Sequence, residues 1–262
     1  MDKFLEILYS MILGAIQGFT EFLPVSSSGH LVIAQKILGM DENAFFMNVM
    51  LHMGTLVAVC IYYFRDILHL FTRDGCKTLW FLVLATIPAG LVRIFLDEPV
   101  NMLFEEGKYV CFGFLITAAV LFVTEWLGRR RASDRPITWK SALIMGVAQG
   151  VAVVPGISRS GSTIAAGVLT GTNRTDVAKF SFLMSIPVIA GSALLELLHV
   201  DFAAINWLPC IAGMITSGIC GYLAISFMVK LIGRCNFKWF SLYLLILSIL
   251  TFTNSFLSPF LY

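Results

Sequence analysis

Two short polar runs in this 262-residue chain hold side chains suited to anions and protons. The first reads Gln17-Gly18-Phe19-Thr20-Glu21-Phe22-Leu23-Pro24-Val25-Ser26-Ser27-Ser28-Gly29-His30. Gln17 and Glu21 stand four apart and so share one face of a helix. An ionisable residue inside an apolar chain is costly to bury, which makes Glu21 a functional candidate. Serine before a helix commonly caps it, but Ser26-Ser27-Ser28 exceeds what one cap needs. Free N–H groups at a helix start form an anion site. His30, one turn in, could exchange a proton near neutral pH. The second run is Pro155-Gly156-Ile157-Ser158-Arg159-Ser160-Gly161-Ser162-Thr163. It keeps the design but puts Arg159 where the first has Ser27, and Ser162 where the first has His30. A guanidinium is the donor fork that grips phosphate. Two helix starts and one arginine would hold a strongly anionic group. The carboxylate and imidazole beside it could do acid–base work or hold a divalent metal.

The two runs are copies. An offset of 132 maps Gly14, Gln17, Gly18, Ser26, Ser28, Gly29, Ala34 and Gly39 onto identical residues without a gap. The chain is therefore read as one membrane domain over residues 1–262, with repeats of about 1–131 and 132–262. Hydrophobic residues make up 58% and charged residues 13%, against roughly 25% charged in soluble domains. Mean hydropathy is +0.86. This composition excludes a water-soluble globule and points to a polytopic membrane protein. No cleavable signal pattern precedes the first apolar stretch. The six cysteines are scattered without a C-x-x-C pair; five lie in or beside apolar segments and read as lipid-buried thiols.

Six stretches are long enough to span: 44–64, 78–96, 109–127, 177–198, 207–229 and 239–260. The segments 4–38 and 141–169 are instead broken by the polar runs, and their second arms are too short to cross. Each reads as a re-entrant helix–loop–helix, tolerated at depth only where protein or a wet cavity surrounds it. Three spans per half place the repeats in inverted topology. Arg65, Arg73, Lys77; Arg129, Arg130, Arg131, Arg135, Lys140; and Lys230, Arg234, Lys238 follow the first, third and fifth spans. The opposite face holds Lys3, Lys36 and Lys108 with Glu98, Glu105, Glu106 and Asp201. The basic loops are then cytoplasmic, both termini lie outside, and the hairpin tips meet near the midplane. Arg129–Arg131 read as a topology anchor, not a nucleic-acid patch. His52 reads as packed and hydrogen-bonded within its span, His69 and His199 as interfacial, and Asn48, Arg93 and Glu125 as snorkelling near span ends. Taken alone, these features suit a transporter as well as an enzyme.

At these residues the chain resembles the bacterial undecaprenyl pyrophosphate phosphatases of the bacitracin-resistance type. The family's (E/Q)-x-x-x-E motif running into P-V-S-S-x-G-H is matched from Gln17 to His30, and its P-G-x-S-R-S-G-x-T motif from Pro155 to Thr163. The span beginning Phe180-Ser181-Phe182 also looks like the family's next one. Acid-phosphatase-like lipid phosphatases fit less well, because Gly128 stands where their Lys-x6-Arg-Pro motif needs lysine before Arg135-Pro136.

The resemblance implies six transmembrane helices plus two re-entrant hairpins, and a site that faces outward across the bacterial plasma membrane. It implies hydrolysis of a C55 polyprenyl pyrophosphate to the monophosphate and phosphate, which recycles the carrier for peptidoglycan synthesis and confers bacitracin resistance. A polyprenyl-phosphate transporter is the alternative. The expected catalytic residues are Glu21, Ser27, His30 and Arg159, with water, Ser27 or His30 as the nucleophile. Gln17, Ser26, Ser28, Ser158, Ser160 and Thr163 are expected to bind the pyrophosphate. The expected cofactor is a divalent cation, Mg²⁺ or Ca²⁺, near Glu21. Many members have Glu where this chain has Gln17, and an amide is no general base, so Gln17 is left to positioning. The partners implied are the lipid and the membrane, without nucleic acid; a homodimer is compatible.

Overall fold

The structure, a computed structural model, describes residues 3–40, 44–96, 107, 109–131, 135–198, 205–234 and 236–257. Helices follow the apolar segments: α1 (Lys3–Phe22), α2 (Ser27–Ile37), α3 (Ala44–Tyr62), α4 (Phe64–Leu70), α5 (Cys76–Phe95), α6 (Val110–Arg131), α7 (Trp139–Val151), α8 (Arg159–Leu169), α9 (Arg174–Leu197), α10 (Trp207–Leu231) and α11 (Lys238–Phe252). A π-helical turn, Thr253–Leu257, extends α11. The one extended pairing among the described residues is the bridge between Arg135 and Thr172. The protein is a polytopic α-helical membrane protein. Five helices are long and apolar enough to span, or six if the bent pair α3–α4 counts as one.

That bend departs from the straight span expected over 44–64. The two helices meet at 76° beside Tyr63. Tyr63 is buried, with its ring against Tyr62 and Phe182, while α4 leads outward to an ion pair between Asp66 and Lys179.

The repeats are interlocked rather than side by side. Helix α1 of the first repeat lies along α10 of the second, and its counterpart α7 lies along α5 of the first. Such contacts need small residues, because lipid tails already satisfy apolar surface and close backbone approach supplies the packing energy. A Cβ on Gly18 would fall 2.6 Å from the Ser217 carbonyl oxygen and from Cys220 Cβ. The counterpart contact sets Gly146 against Ala85, where a Cβ would lie 2.8 Å from the Ala85 Cα. Helices α3 and α9 meet at the centre, α6 packs along α11, and α8 sits against α6, α7 and α9.

Glu125 does not snorkel. It is buried and accepts from Arg174 Nη2 and from the Phe237 N–H, each at 3.2 Å, while Arg174 lies 4.9 Å over the Phe237 ring. The charge thus fastens the starts of α9 and α11 to α6. Arg93 meets Glu196 at 3.2 Å between α5 and α9. Asn48 is also turned inward, accepting from Gln35 Nε2 at 2.7 Å. His69, expected in an interfacial loop, is exposed in the last turn of α4. Cys111 and Cys210 are buried thiols, whereas Cys76 is exposed. Glu98, Glu105, Glu106, Lys108, His199, Asp201 and Cys235 lie outside the described residues, as do the side chains of Arg129–Arg131.

Candidate active site at the meeting of the two hairpins

Each hairpin turns on a capping serine. Ser26 caps α2 by accepting from the Gly29 N–H at 3.4 Å, and Ser158 caps α8 by accepting from the Gly161 N–H at 3.0 Å. Both serine hydroxyls also lie 3.4 Å from that of the serine two positions on, Ser28 and Ser160 respectively. The first turn is strained: Ser26 has φ +68°, a region where a non-glycine residue costs of order 1–3 kcal/mol. In the second turn a glycine, Gly156 at φ +85°, takes the left-handed position.

The caps leave equivalent residues at the first position of each helix, Ser27 and Arg159, and both reach Glu21. Ser27 Oγ donates to Glu21 Oε2, and Arg159 Nη2 donates to Glu21 Oε1. Gln17 Nε2, one turn back on α1, donates to Oε2 at 2.9 Å. Glu21 is only 7% exposed, so these donors replace its water. One carboxylate therefore carries a hydroxyl, an amide and a guanidinium. A hydroxyl donating to a buried carboxylate is a nucleophile beside its base.

The Ser160 and Thr163 hydroxyls of the second hairpin are engaged within the protein. Ser160 Oγ donates to the Leu23 carbonyl at 2.8 Å, which ties the second hairpin to the first turn. Thr163 Oγ1 donates to the Arg159 carbonyl at 2.8 Å and lies 2.6 Å from Ser181 Oγ. Arg159 Nη1 meets the Ser181 carbonyl at 3.4 Å. The Ser158 N–H donates to Thr117 Oγ1 at 3.0 Å. Ser26, Ser158, Ser160 and Thr163 are buried, while Ser27, Ser28 and Arg159 are part-exposed.

His30 stands apart from this carboxylate. Its Nδ1 lies 2.7 Å from the Ser26 carbonyl, which can only accept, so Nδ1 carries the proton and a neutral ring accepts at Nε2 from the Tyr243 hydroxyl at 2.6 Å. The ring stacks on Tyr243 and meets Phe114 edge-on. It borders an apolar cavity of about 450 Å³ formed by Ile16 and Phe19 of α1, Ile33 and Ile37 of α2, and Leu247 of α11.

The imidazole nearer the carboxylate is His52. It is hydrogen-bonded, as the sequence suggested, with Nδ1 2.7 Å from the Asn48 carbonyl. Its other nitrogen, Nε2, lies 3.9 Å from Glu21 Oε2, and the side chain is 33% exposed. The available signal was the polar stripe Asn48, His52, Thr55 on one face of an apolar helix. Ser181 was missed as a site residue as well, although it lies in the family-like stretch Phe180-Ser181-Phe182.

Among the described residues, no closed protein cage for a divalent ion surrounds Glu21. Among the described residues no three His, Cys, Asp or Glu side chains converge, and both Glu21 oxygens are occupied by donors.

The model of the bacitracin resistance protein BacA family matches residues 10–250. The chain belongs to that family. Among BacA relatives named undecaprenyl-diphosphatase, one from Halothermothrix orenii is 39% identical, with 94% of this chain and 97% of the relative covered. One from Carboxydothermus hydrogenoformans is 38% identical, covering 92% and 94%. One from the archaeon Methanosphaera stadtmanae is 37% identical, covering 94% and 97%. The BacA match takes in both polar loops and every side chain that touches Glu21.

Proposed function

We propose that this protein hydrolyses undecaprenyl pyrophosphate to undecaprenyl phosphate and inorganic phosphate. The observation that carries the reading is Glu21, which receives the Ser27 hydroxyl on one oxygen and the Arg159 guanidinium on the other. The names of the relatives supply the substrate. The pyrophosphate draws Arg159 toward itself, and Glu21, losing its counter-charge, becomes a stronger base for the Ser27 proton. Ser27 Oγ then attacks the terminal phosphorus, the bridging P–O bond breaks, and the lipid leaves as its monophosphate. Arg159 and the N–H groups at the two helix starts neutralise charge on the transferred phosphoryl group, and stabilisation of this kind usually supplies most of the acceleration in phosphoryl transfer. Ser28 lies on the open side of the first loop and adds a hydroxyl to that cradle. The apolar cavity beside His30 takes the start of the polyprenyl tail, with His30 and Tyr243 at the boundary between head and tail.

Both broken segments are re-entrant in this reading, and the repeats are inverted. The site opens to the outer face of the bacterial plasma membrane with both termini outside, on the strength of the basic loops. The product returns to the carrier pool for peptidoglycan synthesis, and the activity confers bacitracin resistance. A divalent cation would be held by the pyrophosphate oxygens beside Glu21 and would help neutralise charge on the transferred phosphoryl group. Lipid-phosphate transport is the second reading, favoured by the interlocked repeats.

The test is phosphate release from C55 pyrophosphate by purified protein in detergent. Glu21→Gln and Arg159→Lys are each expected to lower turnover by about 100-fold or more. Lysine keeps the charge but not the fork. Full activity in either folded variant would remove the site from the reaction. No release by folded wild type supplied with Mg²⁺ or Ca²⁺ would favour transport.

A further inference from the structure

We infer that His52 is the base for the second half of the reaction, the step in which water frees the phosphorylated Ser27. The inference rests on the proposed attack by Ser27. In the first half, the Ser27 proton passes to Glu21 Oε2. The departing lipid monophosphate is a stable anion and needs no proton, so Glu21 keeps it. In the second half, water bonds to phosphorus, the P–Oγ bond breaks, and inorganic phosphate leaves. A serine alkoxide is a poor leaving group, so Oγ must take back the Glu21 proton. Glu21 is then the acid, and the attacking water needs a different group for its own proton.

His52 meets that need by position. Its Nδ1–H is committed to the Asn48 carbonyl, so a neutral ring presents the Nε2 lone pair. That carbonyl is steadied in turn, because the Asn48 side chain is held by Gln35 of α2. Nε2 faces the same Glu21 oxygen that accepts from Ser27. Their 3.9 Å separation is too long for a direct hydrogen bond and suits one bridging oxygen about 2.8 Å from each. His30 is unsuited, since its Nε2 accepts from Tyr243 and its ring borders the apolar cavity. The proton taken by His52 leaves with the phosphate or to water, which completes the cycle.

The experiment is rapid-quench turnover of full-length protein in detergent, with C55 pyrophosphate carrying ³²P in its terminal phosphate. Wild type, His52→Gln, His52→Leu and Ser27→Ala are compared, and thermal melting verifies folding. The His52 variants are expected to release about one lipid monophosphate per enzyme in a burst. Phosphate release then falls about 100-fold, and label accumulates on the protein at Ser27. Glutamine matches the size and hydrogen bonding of histidine without its basicity, so it reports on His52 even if leucine disturbs the fold. Wild-type phosphate release by His52→Gln, or equal slowing of both phases without trapped label, would overturn the inference. Absence of label on every variant, with Ser27→Ala still turning over, would instead defeat the Ser27 reading beneath it.

Discussion

In the proposed reaction, Arg159 and Glu21 neutralise one another until the pyrophosphate competes for the guanidinium. Two effects therefore act at this residue pair. Truncating Arg159 strips the site of its phosphate clamp and also leaves a buried carboxylate unpaired, which costs roughly 3–5 kcal/mol. Arg159→Lys separates the two, since it retains a charge for Glu21 and loses the planar fork. The expected metal dependence belongs to this scale too. EDTA is expected to abolish turnover, and Mg²⁺ or Ca²⁺ to restore it. Calorimetry of the protein alone should show no stoichiometric Mg²⁺ or Ca²⁺ binding. Tight one-to-one binding without substrate would mean that Glu21 and its neighbours do form a cage. The sequence shows Gln17, Glu21, Ser27 and Arg159 as candidates because each lies in a local motif of caps and helical spacing. His52 carries no such motif. It joins Glu21 only because α3 packs against α1.

At the scale of elements, the hairpins work because their helices start one residue after a capping serine, which presents Ser27 and Arg159 at equivalent positions. What holds α1 in place is the close approach of Gly18 to α10. Gly18→Leu is expected to lower the melting temperature in detergent and to cost about 1–3 kcal/mol through overpacking. Gly90→Ala, where a Cβ meets nothing within 4 Å, is the control and should be neutral or slightly stabilising. Equal melting of the two variants would mean that the α1–α10 contact does not govern stability. Helix limits were legible to within a few residues, since apolar length and Gly/Pro/Ser punctuation fix them locally. The bend at Tyr63 was not, because it depends on where Phe182 of α9 offers a ring.

At the scale of the whole molecule, interlocking makes each repeat incomplete alone. The inverted arrangement predicts that the ends of the two hairpins lie on opposite faces. A cysteine at Gly39 should react with a membrane-impermeant maleimide from outside, and one at Gly171 only from the cytoplasmic side, with native cysteines replaced. Labelling of both from one side would rule out inversion.

Sequence by itself determined the membrane class, the helix limits, the internal repeat and the two polar loops, because all of these follow from composition and short-range pattern. Tertiary structure alone decided what meets what. Arg159 reaches Glu21 across 138 residues, His30 reaches Tyr243 across 213, and His52 faces the carboxylate from a neighbouring helix. The first two pairings join opposite repeats and the third joins α3 to α1 within the first repeat, and each depends on two surfaces together and on neither segment alone.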